Sequence, residues 1–197
     1  YILPKVVGWF SKQYPGITVT LTVADSEEIE SRVLEGEFEL GVIGRKSSNK
    51  HLETHELWKD ELVLALPSTH RLAGKKDVPL QEVAQEPFIS RELGSGTLRS
   101  MEPYLQGAGL KGIESLHVVA RLGTSTAVKE GIKAGLGISI LSAVAIETEL
   151  KAGVLKAIRL KDNPMFRYFY LIRDKRRTAS PLSRSLMDFL ITTSKQL

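Results

Sequence analysis

The chain has 197 residues, 42% of them hydrophobic and 25% charged, enough apolar material for one large domain or two small lobes. It has no cysteine, which excludes disulfides, thiolate metal sites and cysteine nucleophiles and fits a reducing compartment. The net charge of +4 is a mild excess. Its densest cluster, Arg173, Lys175, Arg176 and Arg177 interrupted by Asp174, reads as a solvated loop end, because no recognition helix or aromatic-studded basic strand accompanies it.

In chain order, Leu3, Val6, Val7, Phe10 and Tyr14 recur at helical spacing after Pro4, and Tyr14-Pro15-Gly16 ends that helix. Ile17, Val19, Leu21 and Val23 alternate with threonines, the pattern of a strand with one apolar face. Asp25 or Ser26 caps the next helix, with Glu28 at capping-box spacing, Ile29, Val33 and Leu34 as its buried stripe and Gly36 as its C-terminal stop. A short strand over Phe38–Ile43 completes helix, strand, helix, strand, which predicts a parallel βαβ crossover. Further strands are expected at Leu52–Trp58 and Glu61–Leu66, a short helix at Leu80–Gln85, and a strand at Phe88–Arg91.

Gly94-Ser95-Gly96-Thr97 reads as a loop leading into a helix that carries Leu98, Met101 and Leu105. The alternation then continues: strand His117–Leu122, loop Gly123-Thr124-Ser125, a helix with Val128 and Ile132 inward, strand Gly137–Leu141, helix Ala143–Leu150, and strands Leu155–Leu160 and Phe166–Arg173. The last helix has Ser180 as cap, Pro181 at its first position and Leu182, Leu186, Phe189, Leu190 and Thr193 inward. Trp9 and Trp58 read as core aromatics. The blocks suggest one lobe of residues 1–90 and 167–197 and a second of 91–166. Two crossing strands would join them, with strand C-termini and helix N-termini meeting at a crevice.

Several segments together resemble one family, the effector-binding domain of LysR-type transcriptional regulators. They are the Leu3-Pro4, Phe10, Tyr14-Pro15 opening, the Ala24-Asp25-Ser26 turn, and the run Leu34-Glu35-Gly36-Glu37-Phe38-Glu39-Leu40-Gly41-Val42. Leu66-Pro67 with His70 and Leu72, and Ala134 to Leu141, which reads A-G-L-G-I-S-I-L, complete the set. Glu39 stands where the family has Asp, Arg71 where it has Pro, and Ser142 where it has Pro. The resemblance covers the whole chain. It implies an α/β fold of the periplasmic-binding-protein type, two Rossmann-like lobes joined by two crossover strands with a ligand cleft between them. It also implies a small-molecule effector, cytoplasmic location, an antiparallel dimer that becomes a tetramer in the full-length protein, and DNA binding through an N-terminal helix-turn-helix absent from these residues. A start at Tyr1 rather than Met fits a fragment or a processed product.

Three loops, Ala24-Asp25-Ser26, Gly94 to Thr97, and Gly123-Thr124-Ser125, run directly into expected helix N-termini. Such ends offer free N–H groups and partial positive charge, which suit an anionic metabolite. The resemblance adds the Pro67-Ser68 loop and the strand end at Ser90-Arg91. The expected effector contacts are therefore Ser26, Ser68, Ser90, Arg91, Ser95, Thr97, Thr124 and Ser125; each hydroxyl has helix capping as its competing role. Asp25 would repel an inward anion and is expected either to cap its helix facing away or to pair with an effector amine.

No catalytic or metal-binding residue and no cofactor is expected. Gly123-x-Ser125-x-Ala127 resembles a nucleophile elbow, but all four histidines, His51, His55, His70 and His117, precede Ser125, against the usual triad order. His51 and His55 lack further soft ligands nearby, and the glycine pairs lack the third glycine of a dinucleotide fingerprint. No apolar run is long enough to span a bilayer. A stand-alone solute-binding protein of a transporter is the alternative reading, distinguished by a signal peptide in place of a helix-turn-helix.

Overall fold

The computed structural model describes residues 1–161 and 164–195. In chain order its elements are helices α1 (Ile2–Gln13) and α2 (Ser26–Glu35), strands β1 (Gly41–Ile43), β2 (Leu52–Pro67) and β3 (Asp77–Val78), helix α3 (Leu80–Val83), β4 (Phe88–Arg91), α4 (Gly96–Gly107), β5 (Val118–Leu122), α5 (Ser125–Lys133), β6 (Ser139–Ser142), α6 (Glu147–Lys151), β7 (Leu155–Leu160), β8 (Met165–Asp174) and α7 (Pro181–Ser194). Contacts divide the chain into two compact units, Tyr1–Lys59 with Tyr168–Leu197, and Asp60–Arg167. Strands β2 and β8 carry the chain across that division.

In the first unit, α1 buries Val6 and Phe10, and Phe10 meets Phe189 of α7 edge-on at 5.4 Å between ring centroids. Trp58, Leu171 and Leu190 close this core. The N-terminus of α2 is capped by Asp25, whose carboxylate accepts the N–H groups of Glu27 and Glu28, both at 2.9 Å. The helix ends at Gly36, whose φ of 83° is the left-handed conformation that glycine adopts without steric cost. Ile29 and Val33 then pack on Ile43, Leu52 and Ile172.

Four expectations fail in this unit. Ile17–Val23 forms no strand, and Leu21 and Val23 are 41% and 95% exposed. Alternation favours a pleated, half-buried surface, and without a ladder partner it leaves the backbone irregular. Strand β1 pairs antiparallel with β8, so no parallel βαβ crossover forms here. Trp9 lies on the solvent side of α1 rather than in the core, and Leu182 lies outside the buried stripe of α7.

The two expected strands at Leu52–Trp58 and Glu61–Leu66 prove to be one continuous β2, and its part in the second unit pairs antiparallel with β6 and β7. Its side chains alternate between two cores. Leu62, Leu64 and Leu66 join Met101, Leu105 and Ile140, whereas Val63 and Ala65 join Ile89, Val128 and Ile132, the two-residue period of a strand buried on both faces. Leu72, Val78 and Val83 belong to the first of these cores. The expected boundary at residue 90 therefore differs from the observed division at Asp60, because residues 60–90 bury their apolar side chains with α4 and α5.

Strands β4 and β5 are parallel, and Phe88 bridges Ile138 in parallel at the start of β6. Two glycines make this last approach possible. Gly135, at φ 79°, lets the chain turn after α5, and a Cβ on Gly137 would run into the carbonyl of Pro87, which accepts the Ile138 N–H at 2.8 Å.

Candidate functional site

The C-terminal ends of β4 and β5 lie side by side in the second unit, and each strand leads through a short loop into a helix, α4 or α5. The first-turn amides of both helices lack intrahelical acceptors, so this edge carries a set of donors and partial positive charge. Thr124 caps α5 through its Oγ1, which accepts the Ala127 N–H at 3.0 Å. Ser95 caps α4 by position alone: its side chain makes no capping bond. The Ser95 hydroxyl is buried and has no hydrogen-bond partner. An unpaired buried hydroxyl costs roughly 1–3 kcal/mol.

Two arginines stand at the same edge. Arg167 is buried and donates Nε to Asp60 at 2.8 Å and a terminal nitrogen to Thr97 Oγ1 at 2.9 Å. Asp60, 1% exposed, also accepts the Ser142 hydroxyl at 2.7 Å. Burial lowers the Arg167 pKa from its ordinary value; the charge and hydrogen bond of Asp60 oppose this, and the like charge of Arg91 adds to it. Arg91 donates to Ser125 Oγ at 2.9 Å and to the Gly123 carbonyl at 3.4 Å, tying the end of β4 to the loop before α5. Its remaining face is held by Glu92, at 2.8 and 2.7 Å to the two carboxylate oxygens.

Six of the eight expected contact residues share this edge: Ser90, Arg91, Ser95, Thr97, Thr124 and Ser125. Ser90 is buried and spends its hydroxyl on the Arg91 carbonyl, 2.9 Å away. Ser68 is elsewhere. It follows the far end of β2, eight residues beyond Asp60, and at about 3.3 Å per residue that places it roughly 25 Å from the cluster. There its N–H donates to the Val154 carbonyl at 3.1 Å. Ser26 belongs to the first unit, where its hydroxyl accepts the Gly44 N–H at 3.3 Å. Asp25 caps α2 as expected.

Sequence reasoning missed Asp60, Arg167, Ser142 and Glu92. The available signal was weak: Arg167 is a lone charge between Phe166 and Tyr168, whereas Asp60 is the middle of the charged run Lys59-Asp60-Glu61 between Trp58 and Leu62. Their pairing spans 107 residues, which no local pattern specifies.

The first unit holds a different charged pocket, about 240 Å³ and lined by Glu39, Arg173, Asp174 and Arg177 among others. Its carboxylates are already engaged. Asp174 accepts two side-chain nitrogens and the N–H of Arg176, and Glu39 accepts the Ser180 N–H at 2.9 Å. Of the two paired histidine candidates, His55 contacts Glu53 at 2.8 Å, and among the described residues no group of metal-ligating side chains is assembled. No described helix is long and apolar enough to cross a membrane.

A family model described as the LysR substrate binding domain matches residues 1–195. The HTH-type transcriptional activator CmpR of a Synechocystis species is 29% identical over 190 residues, 96% of this chain and 61% of CmpR. The HTH-type transcriptional regulator CbbR of Rhizobium meliloti is 30% identical over 197 residues, 98% of this chain and 61% of CbbR. The chain thus spans about three fifths of the length of these relatives. The solved regulatory domain of Synechocystis PCC6803 CcmR, in complex with 2-PG, superposes with a TM-score of 0.89 at 28% identity, covering 100% of this chain and 93% of that one.

Proposed function

The chain belongs to the LysR substrate binding domain family, and from that premise we propose that it is the effector-sensing part of a cytoplasmic LysR-type transcriptional regulator, taking a small anionic metabolite at the strand-end cluster of its second unit. The observation that carries this is the Ser95 hydroxyl: buried, without a partner, at the start of a 12-residue helix, beside a cluster holding Arg91 and Arg167. An oxyanion placed there accepts from Ser95, from the first-turn amides of α4 and α5, and from Arg91. These interactions are charge-assisted and stronger than neutral hydrogen bonds. Thr97, Thr124 and Ser125 add hydroxyls around it. DNA binding is assigned to the part of the regulator that these 197 residues do not span, and self-association to a dimer of such domains.

The bound ligand acts by population shift. It favours whichever arrangement of the domain grips it better, and the shift is limited by its differential affinity for the two states. The 2-PG bound by the CcmR regulatory domain makes that compound the first probe. A site-bound ligand at a hundred times its Kd stabilises by about 2.7 kcal/mol, which a thermal-shift titration reads directly. Ser95→Ala and Thr124→Val are expected to weaken the shift produced by 2-PG or inorganic phosphate. Two variants that respond like the wild type would place the ligand elsewhere.

A further inference from the structure

We propose that Glu92 is an internal anion that holds the effector's place on Arg91 and thereby selects which ligands the site admits; this rests on the reading of the cluster as an effector site. Neighbouring side chains in a regular strand point to opposite faces. Arg91 is the last residue of β4 and Glu92 the first beyond it, so the chain is free to turn the Glu92 carboxylate back. It does so with two-point geometry, one oxygen on Nε at 2.8 Å and the other on a terminal nitrogen at 2.7 Å.

The two carboxylates of the cluster differ in how they can leave. Asp60 is 1% exposed and gripped by both Ser142 and Arg167. The Glu92 side chain is 33% exposed, so it can swing into water and regain its hydration. With Arg91 and Arg167 positive and Asp60 and Glu92 negative, these four charges cancel. Release of Glu92 exposes one unit of positive charge beside the Ser95 hydroxyl and the two helix starts.

A ligand that replaces Glu92 has to reproduce its planar, two-point grip on the guanidinium. Carboxylates and phosphoryl groups do this; a halide offers one point, and a neutral polyol leaves the Arg91–Glu92 pair intact. Glu92 therefore sets the class of ligand admitted as a carboxylate or phosphoryl oxyanion, and it lowers the affinity of every such ligand by competing with it.

The test is a calorimetric and thermal-shift titration of the 197-residue chain with inorganic phosphate, and with chloride at matched ionic strength. The proteins compared are the wild type, Glu92→Gln, Arg91→Gln and Arg91→Lys. Glu92→Gln removes the competing charge at nearly constant shape, and its half-saturation for phosphate is expected about 3- to 10-fold lower than wild type, as the loss of a partly exposed ion pair allows. Arg91→Gln loses the response, Arg91→Lys keeps part of it, and chloride has little effect on any of the four. If Glu92→Gln matches the wild type or binds more weakly while Arg91→Gln still loses binding, the site stands and the competitor role of Glu92 is refuted. If Arg91→Gln binds like the wild type, the site itself is misplaced and the proposal falls with it. If neither wild type nor Glu92→Gln responds to phosphate the proposal is refuted, and the 2-PG titration of Ser95→Ala then judges the site on its own.

Discussion

Both units of this chain carry an arginine–carboxylate cluster, and the two are assembled in opposite ways. In the first, Asp174 is held by Arg176, two residues along, and by Arg177 at 3.6 Å. Those guanidinium side chains are 49% and 57% exposed. In the second, Asp60 and Arg167 meet across 107 residues of sequence, and Arg167 reaches Thr97 across 70. The Asp60 and Arg167 side chains are 1% and 13% exposed. The Asp174 pairing in the first is local and finishes the end of β8, although Arg176 and Arg177 also donate to the Leu34 and Glu35 carbonyls across 142 residues, and every carboxylate in that cluster has a partner. The second is a product of the tertiary fold and leaves the Ser95 hydroxyl unpaired, whereas the unpaired Nε of Arg173 in the first belongs to a guanidinium already paired with Glu53. A local cluster is cheap to form and says little about ligands. A cluster that fixes charges from remote strands beside an unsatisfied hydroxyl carries a cost, which the proposed ligand offsets.

The sharpest way to break this contrast is to remove Asp60. Asp60→Ala leaves the Arg167 guanidinium buried without its counter-charge and the Ser142 hydroxyl without its acceptor. Breaking one half of a buried ion pair costs about 3–5 kcal/mol, so urea unfolding of the 197-residue chain is expected to show a loss of that size. A loss under about 1 kcal/mol would mean that water reaches Arg167, and the two clusters would then be of one kind.

Ser95 sharpens the comparison from the other side. Its hydroxyl has no protein partner, so Ser95→Ala removes an unsatisfied group and is expected to leave stability unchanged or raise it by up to about 1 kcal/mol, while weakening the anion response. A variant that gains stability and loses ligand binding identifies a residue kept for function. A clear loss of stability without ligand would show that the hydroxyl serves the fold.

These residues also show how much the sequence made legible. Local chemistry was readable. Asp25, Thr124 and Ser180 cap their helices as side-chain spacing predicts, and Gly36 and Gly135 take the positive φ their positions require. The loop–helix junctions of the proposed site, at Ser95 and Thr124, are legible for the same reason. What depends on partners was not. Ile17–Val23 has a strand's alternation but no ladder. Ser68 is a turn serine like the others, and only the register of β2 places it at the opposite end from the Asp60–Arg167 pair. Arg167 is a single charge among aromatic residues, and Asp60 is one of three consecutive charges, Lys59-Asp60-Glu61, that nothing local distinguishes until the fold pairs it with Arg167. Capping is decided within four residues, whereas strand pairing and buried ion pairs are decided across the whole chain.

The smallest expected effect belongs to the local cluster and is best seen against pH. The hydrogen bonds from Arg176 hold the Asp174 carboxyl well below the usual carboxylate range, more than offsetting the opposing effect of desolvation. A carboxyl whose folded pKa lies below its unfolded value of about 3.9 contributes stability at neutral pH. That contribution is lost as pH falls below the unfolded value toward the folded one. Asp174→Asn keeps an oxygen able to accept the Arg176 N–H, which lies 3.0 Å from the carboxylate, but removes the charge. Because the paired guanidiniums are about half exposed and screened by solvent, the loss at pH 7 is expected to be no more than about 1 kcal/mol. Melting temperatures measured from pH 7 down to pH 2 should fall less steeply for Asp174→Asn than for the wild type, the two curves converging in acid. Parallel curves would show that Asp174 titrates alike in the folded and unfolded chain. The cluster at the end of β8 would then be a solvated loop end in energy as well as in sequence.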